Sequence, residues 1–244
     1  MLTGTADINQ LAADAPTIKA FLDQAVLFPE VYCLQVTLEM RKASREALLP
    51  PALHPTIPPA LSIQAWQVLD GPWGAFDLVI NRIYCRSGVR ARGFTTRAFV
   101  SSAAVVEQLA TGFGFPARLA NIAFRQGYDG ADLEVSIDGA CALSLAAVDP
   151  EPMGPGDVQY TSTLNLAHTP KGLRLVQVEA DHHADRVDRL QARLAHYDGG
   201  QFGNVLLQPG QVVSASLCHE QVELPPVRFV CKADELAFTG TEAI

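Results

Sequence analysis

The chain has 244 residues, 48% hydrophobic and 18% charged, with 26 acids against 18 bases and a formal charge of −8. That balance excludes an extended phosphate-binding surface, which needs clustered Lys and Arg, so no nucleic-acid partner is expected. Charged residues fall below the roughly 25% usual for soluble domains, which implies a large interior or surface buried between subunits, and a homo-oligomer is expected.

At this length a single domain, 1–244, accounts for the chain, with N-terminal helices over 1–30 and a β-barrel over 31–232. The longest apolar run, Ala140 to Val148 with Ser144 inside it, is too short to span a bilayer. The start, MLTGTADINQ, has neither a basic n-region nor an apolar h-region. Cys33, Cys85, Cys141, Cys218 and Cys231 show no C-x-x-C spacing, so neither a disulfide framework nor a zinc clip is indicated. These features fit a reducing, cytoplasmic setting with no membrane contact.

From Leu11 to Leu27 apolar residues recur at helical spacing, broken at Ala15-Pro16, which predicts one or two short helices. From Tyr32 the period becomes two, with Leu34, Val36, Leu38 and Met40 on one face and Cys33, Gln35, Thr37 and Glu39 on the other, as in a strand. A short helical turn over Arg41 to Leu48 leads into a proline-rich loop, Pro50 to Pro59, that neither helix nor central strand tolerates. Strands are predicted over Leu61 to Leu69, Ala75 to Tyr84 and Val89 to Val100, then a helix over Ala103 to Ala110 that stops at Gly112.

Further strands are expected near Ala120 to Gln126, Ala131 to Ile137 and Ala140 to Val148, with Asp129-Gly130 and Asp138-Gly139 as hairpin turns. Another hairpin is read over Tyr160 to Ala180, around Thr169-Pro170-Lys171-Gly172. Arg186 to Tyr197 fits helix or strand, and strands near Gln211 to Val222 and Val227 to Cys231 close the chain. The coarse reading is a mainly β (α+β) fold: an antiparallel closed β-barrel or cone with a few short helices.

Leu49-Pro50-Pro51-Ala52-Leu53, Gly71-Pro72-Trp73, Gly114-Phe115-Pro116-Ala117-Arg118-Leu119-Ala120 and Val212-Val213-Ser214-Ala215-Ser216 follow one another in an order and spacing that resembles the acetoacetate decarboxylase family. The resemblance runs across roughly residues 30–232 and implies a β-barrel or cone around an apolar pocket, with Arg186 to Tyr197 as strand. The family's chemistry uses a lysine amine that attacks a ketone to form a Schiff base. Its motif, Gly-hydrophobic-Pro-Lys-Lys-Leu, has Ala117 here at the nucleophile and Arg118 at the cationic neighbour. Arginine cannot stand in for the amine, because its high pKa leaves no neutral nitrogen. The helix motif Gly-Arg-Glu is replaced by Leu109-Ala110-Thr111, and the acid after Gly-Pro-Tyr is replaced by Ala75, with Asp77 as a shifted carboxylate.

Fourteen of the 18 bases are Arg, and the lysines, Lys19, Lys42, Lys171 and Lys232, all read as solvated termini and turns. No imine chemistry is therefore expected. Arg82, Arg86, Arg90, Arg92 and Arg97 crowd two strands and are read as a solvated face, although an inward-pointing fork would hold a carboxylate. The stretch Asp181-His182-His183-Ala184-Asp185 offers ligand-type residues, but neighbours on a strand diverge, and no metal is assigned. For the same reason Cys218-His219-Glu220 is read as a buried cysteine beside a surface histidine. No Gly-rich nucleotide loop occurs, and no cofactor is expected.

The expected function is an enzyme acting on a carbonyl-bearing or cyclic small organic metabolite by acid/base steps without a Schiff base: cyclisation, isomerisation, dehydration or decarboxylation. Arg118 and Asp77 are the catalytic candidates, and Gln35, Phe99, Phe115, Ala117 and Arg97 the substrate-binding ones. The alternative is a non-catalytic small-molecule binding protein that keeps the barrel.

Overall fold

The computed structural model describes residues 2–244. In chain order the elements are α1 (Ile8–Ala13), β1 (Val26–Met40), α2 (Lys42–Leu48), β2 (His54–Pro55), β3 (Ala60–Asp70), β4 (Phe76–Ser87), β5 (Arg90–Val100) and α3 (Ala103–Phe113). Then come β6 (Ala117–Leu119), β7 (Asn121–Gly127), β8 (Gly130–Ile137), β9 (Ala140–Pro152), β10 (Thr163–Thr169) and β11 (Gly172–Val178). The chain ends with β12 (Asp181–Tyr197), β13 (Pro209–Leu224), β14 (Phe229–Lys232), α4 (Ala237–Gly240) and β15 (Thr241–Ala243). The hairpin turns form as their residues dictate: Asp138 and Gly139 take φ of 51° and 81°, the two left-handed values of a tight turn that matches strand twist.

The strands form one sheet in the order β15-β14-β11-β10-β5-β4-β3-β1-β13-β12-β9-β8-β7, with β2 on β4 and β6 on β5 off that path. The expected closed barrel is not what the chain makes. The path ends at β15 and β7 without joining, and the apolar residues divide between two cores on opposite sides of the central strands. In β1, Leu34, Val36 and Leu38 enter the first core while Val31 and Cys33 enter the second. In β4, Val79 enters the first and Leu78 and Ile80 the second; in β5, Phe99 and Ala98 divide in the same way. Because side chains alternate along a strand, a sheet bent over one core at each end buries both its faces where the bends meet.

The N-terminal helical expectation over 1–30 also narrows. Among the described residues of that segment only Ile8–Ala13 is helical, its first turn capped by the Asp7 carboxylate accepting from Asn9 N–H. Pro16 cannot continue a helix, and the chain instead lies along β10: His168 N–H donates to Pro16 O and Ile18 N–H to His168 O. Val26 already belongs to β1, facing Leu224 of β13. The ambiguous Arg186 to Tyr197 segment is strand, inside β12.

Helix α3 stops on Gly114, whose φ of 71° lets its N–H reach Ala110 O. A Cβ there would also stand 2.9 Å from Ala167 Cβ. This turn delivers Phe115 into the second core and sets β6 parallel to β5, with Ala117 opposite Ala98. Between β9 and β10, residues 153–162 carry a single 3-10 turn, Pro155–Asp157, and cross over the sheet as a strap. Among the described residues no helix is long and apolar enough to cross a membrane.

Candidate functional site

The second core encloses a small cavity of about 40 Å³, lined by Gln64, Trp66, Arg82, Phe115, Tyr160 and His182 among others. That is room for on the order of two or three waters, each needing roughly 10–15 Å³. Glu220, 1% exposed, is bound on both carboxylate oxygens: the Tyr160 hydroxyl donates to Oε2, and His182 Nδ1 donates to Oε1 at 2.9 Å. The Tyr160 and His182 rings stack with centroids 3.7 Å apart and planes 7° from parallel, and Trp66 meets His182 edge-on at 6.1 Å. Glu220 and His182 come from paired strands β13 and β12, and Tyr160 comes from the strap.

Arg82 forms the cavity's other polar wall. Its Nη1 donates to Thr161 O (2.8 Å) and Thr163 Oγ1 (3.0 Å), and its Nη2 to Gln64 Oε1 (3.0 Å), so every partner is neutral. Its Nε, like Trp66 Nε1, is buried and unpartnered. Burial pulls its pKa down, yet a guanidinium keeps its charge in any accessible range. A buried cation without a carboxylate partner is costly unless something anionic joins it.

The cavity holds no activated nucleophile. Cys33 faces Cys218 across the β1–β13 pair, and burial, then Glu220, holds the Cys33 thiol well above its ordinary range. Burial pushes the Cys218 thiol up to about 12. Burial also raises the Tyr160 phenol, with Cys33 and Glu220 adding to it, so Tyr160 stays a proton donor at neutral pH. None of the four lysines lines the cavity.

The sequence-based candidates separate. Phe115 lines the cavity and Ala117 packs against the same core. Gln35 lies outside the strap, donating to Gln159 O (3.0 Å), in an open groove of about 650 Å³ that shares Thr161 with the cavity wall. Phe99 is in the first core, edge-on to Phe202 at 5.0 Å. Asp77 stands opposite Gln67, between Phe76 and Leu78, which point into the second core, so alternation turns it away from the cavity. Arg97 and Arg118 lie elsewhere, both 3.4 Å from Asp14 Oδ2.

Three arginines read as a solvated face are buried instead: Arg82, Arg92 and Arg97 are 3%, 6% and 7% exposed. Each has a local reason, since Arg92 pairs with Glu179 at 2.8 Å, Arg97 with Asp14, and Arg82 enters the cavity. The residues missed as a group, Tyr160, His182 and Glu220, were visible only singly. A Glu two places from Cys218 on one strand face was the available signal for Glu220. His182 turns to Glu220 while His183 differs in direction, and among the described residues no group of three or more His, Cys, Asp or Glu is arranged to hold a metal ion.

No family model and no curated protein matches the chain in sequence. Solved structures do match in shape. Acetoacetate decarboxylase from Legionella pneumophila superposes with a TM-score of 0.73 at 15% identity, covering 88% of each chain. The enduracididine biosynthesis enzyme MppR, complexed with pyruvate, gives 0.67 at 17% identity over 82% of this chain and 88% of its own. An acetoacetate decarboxylase-like enzyme from Sphingomonas wittichii RW1 gives 0.67 at 15%, over 84% and 92%. The chain therefore has the acetoacetate decarboxylase-like fold, with identities too low to carry more than the fold.

Proposed function

We propose that this protein is an enzyme of the acetoacetate decarboxylase-like fold that moves a proton on a small carbonyl-bearing organic acid without forming a Schiff base. The observation that carries the reading is the meeting, in one cavity, of a guanidinium that has no carboxylate partner with His182 and Tyr160, both hydrogen-bonded to Glu220 behind them. Arg82 would hold the carboxylate, its Nε being free to donate. Glu220 orients His182 through Nδ1 and supports charge on the ring, leaving Nε2 as the general base. Tyr160, kept protonated by burial, gives its one O–H to Glu220 and holds that carboxylate in place. Proton removal next to the carbonyl by His182 gives an enolate, which the Trp66 N–H stabilises, and return of that proton from the His182 imidazolium to a different carbon completes an isomerisation.

Ala117 in the lysine's place supports a route without an amine. That MppR is solved with pyruvate supports a small oxo acid as the ligand class. At about 40 Å³ the cavity is smaller than such an acid, so substrate would enter with movement of the strap, joining the cavity to the outer groove.

The test is proton exchange. Pyruvate, 2-oxobutyrate and acetoacetate are incubated with the protein in D2O, and loss of the proton signal next to the carbonyl is followed by NMR. Exchange faster than in buffer, abolished in Glu220→Gln and in Arg82→Gln, is expected. Saturable binding with no exchange would leave the non-catalytic binding protein as the reading, and neither binding nor exchange would sink the assignment of this cavity.

A further inference from the structure

A second polar hole lies away from the Glu220 cavity, where the outer edge of β5 changes partner. Strand β10 runs beside β5 at Gly93 and Phe94, and β6 takes over at Ala98. Thr95, Thr96 and Arg97 lie between, with no strand on that edge. Helix α1 and the turn after it cover the split, leaving a hole of about 110 Å³ with Leu11, Phe94 and Leu166 in its wall.

The polar groups in this hole and at its mouth are unevenly matched. Arg97 and Arg118 bring two positive charges to one carboxylate, Asp14, and both contacts are 3.4 Å, against the 2.7–2.9 Å of a well-formed charged hydrogen bond. Asp14 is 65% exposed, so its carboxylate lies at the mouth, whereas the Arg97 side chain is 8% exposed. Inside, Arg97 Nε and Thr95 Oγ1 are buried without a partner. After Asp14 is counted, one positive charge remains, with Arg118 at the mouth beside Asp14. Two unpaired polar groups face a hole whose wall is apolar at Leu11, Leu48, Phe94 and Leu166 and polar at Gln10, Thr96 and Asn204.

We propose that this split in the sheet binds a small monocarboxylate with a short apolar tail, its carboxylate held by Arg97 and Arg118 and its tail lying among Leu11, Phe94 and Leu166. An apolar cavity of about 150 Å³ admits benzene, so this hole suits roughly four or five carbons. Asp14 occupies part of the carboxylate's place and competes with it. The site shares no lining residue with the Glu220 cavity.

Valerate, 1-pentanol and pentylamine are titrated into isotopically labelled protein and followed by backbone NMR. Valerate is expected to shift resonances around Leu11, Phe94 and Arg97, and the alcohol and amine are not. Arg118→Gln, a change at a half-exposed side chain that leaves the core intact, should weaken valerate about tenfold, the loss of one charged hydrogen bond. Arg97→Gln should weaken it further, and Asp14→Asn should tighten it. Glu220→Gln should bind valerate as the parent does, which separates this site from the proposed catalytic cavity. Failure of valerate to shift these residues, or equal affinity in Arg118→Gln and Arg97→Gln, overturns the proposal.

Discussion

Glu220 Oε1 lies 2.9 Å from His182 Nδ1, although 38 residues separate the two in the chain. Their strands pair so that His182 faces Val222 and Glu220 faces Ala184, which makes them diagonal neighbours on one face of an antiparallel pair. Tyr160 then closes the set from the strap. A buried carboxylate held on both oxygens is rigid, and rigidity is what an orienting group needs.

Replacing Glu220 by Gln keeps the shape and removes the charge. The amide can still accept from one partner but presents N–H to the other, and stability should fall by about 1–3 kcal/mol. Urea unfolding measures this. A larger loss of exchange activity than of stability, with native-like circular dichroism, is the expected pattern for an orienting residue. Equal, small effects on both would reduce Glu220 to a structural role.

Ala117 offers a converse experiment. It pairs with Ala98 and packs on the core that holds the cavity, so Ala117→Lys sets an amine beside apolar surface and near Arg118. Both surroundings lower an amine's pKa and favour attack on a ketone. Borohydride with pyruvate should add one substrate mass to the Ala117→Lys protein and none to the parent. An adduct on the parent protein would contradict the absence of imine chemistry.

Four of the five cysteines are buried and Cys141 is exposed. Burial pushes the Cys85 and Cys218 thiols up to about 12, which removes the reactive thiolate at neutral pH. Iodoacetamide should label Cys141 alone in the native protein and all five after denaturation, as read by peptide mass spectrometry. Rapid native labelling of Cys218 would show the second core to be open.

Burial raises the Asp77 carboxyl above its ordinary value, against a hydrogen bond from Gln67 that lowers it. A carboxyl whose folded pKa exceeds its unfolded one binds more protons in the native state, so its contribution to stability falls as pH rises through that interval. Asp77→Asn should therefore raise the melting temperature at pH 7 and lose that advantage below about pH 4, near the unfolded pKa. An advantage that persists at acid pH would rule out the desolvation of Asp77 as its cause.

Phe99 belongs to the first core, packed on Phe202. Phe99→Ala should cost about 3–5 kcal/mol in unfolding experiments. Oxo-acid exchange measured well below the melting temperature should be unchanged, because the side chain lies on the far side of the sheet from Arg82.

The chain order of hairpins was legible from Asp-Gly turns, and β1 from its alternation, because both depend only on a residue and its near neighbours. The alanine at position 117 was legible too, but it stands for a missing lysine only through the resemblance to the acetoacetate decarboxylase motif. Alternation defines two faces of a strand but does not say which one meets which core. In β4, alternation puts Asp77 and Arg82 on opposite faces, and only the packing of Leu78 and Ile80 into the second core decides that Arg82 enters the cavity. Sheet closure was likewise undetermined, since pairing of the first and last strands in the path depends on curvature summed over the whole sheet. Only tertiary structure could join Tyr160, His182 and Glu220, because hydrogen bonds between separate segments leave no period in the sequence.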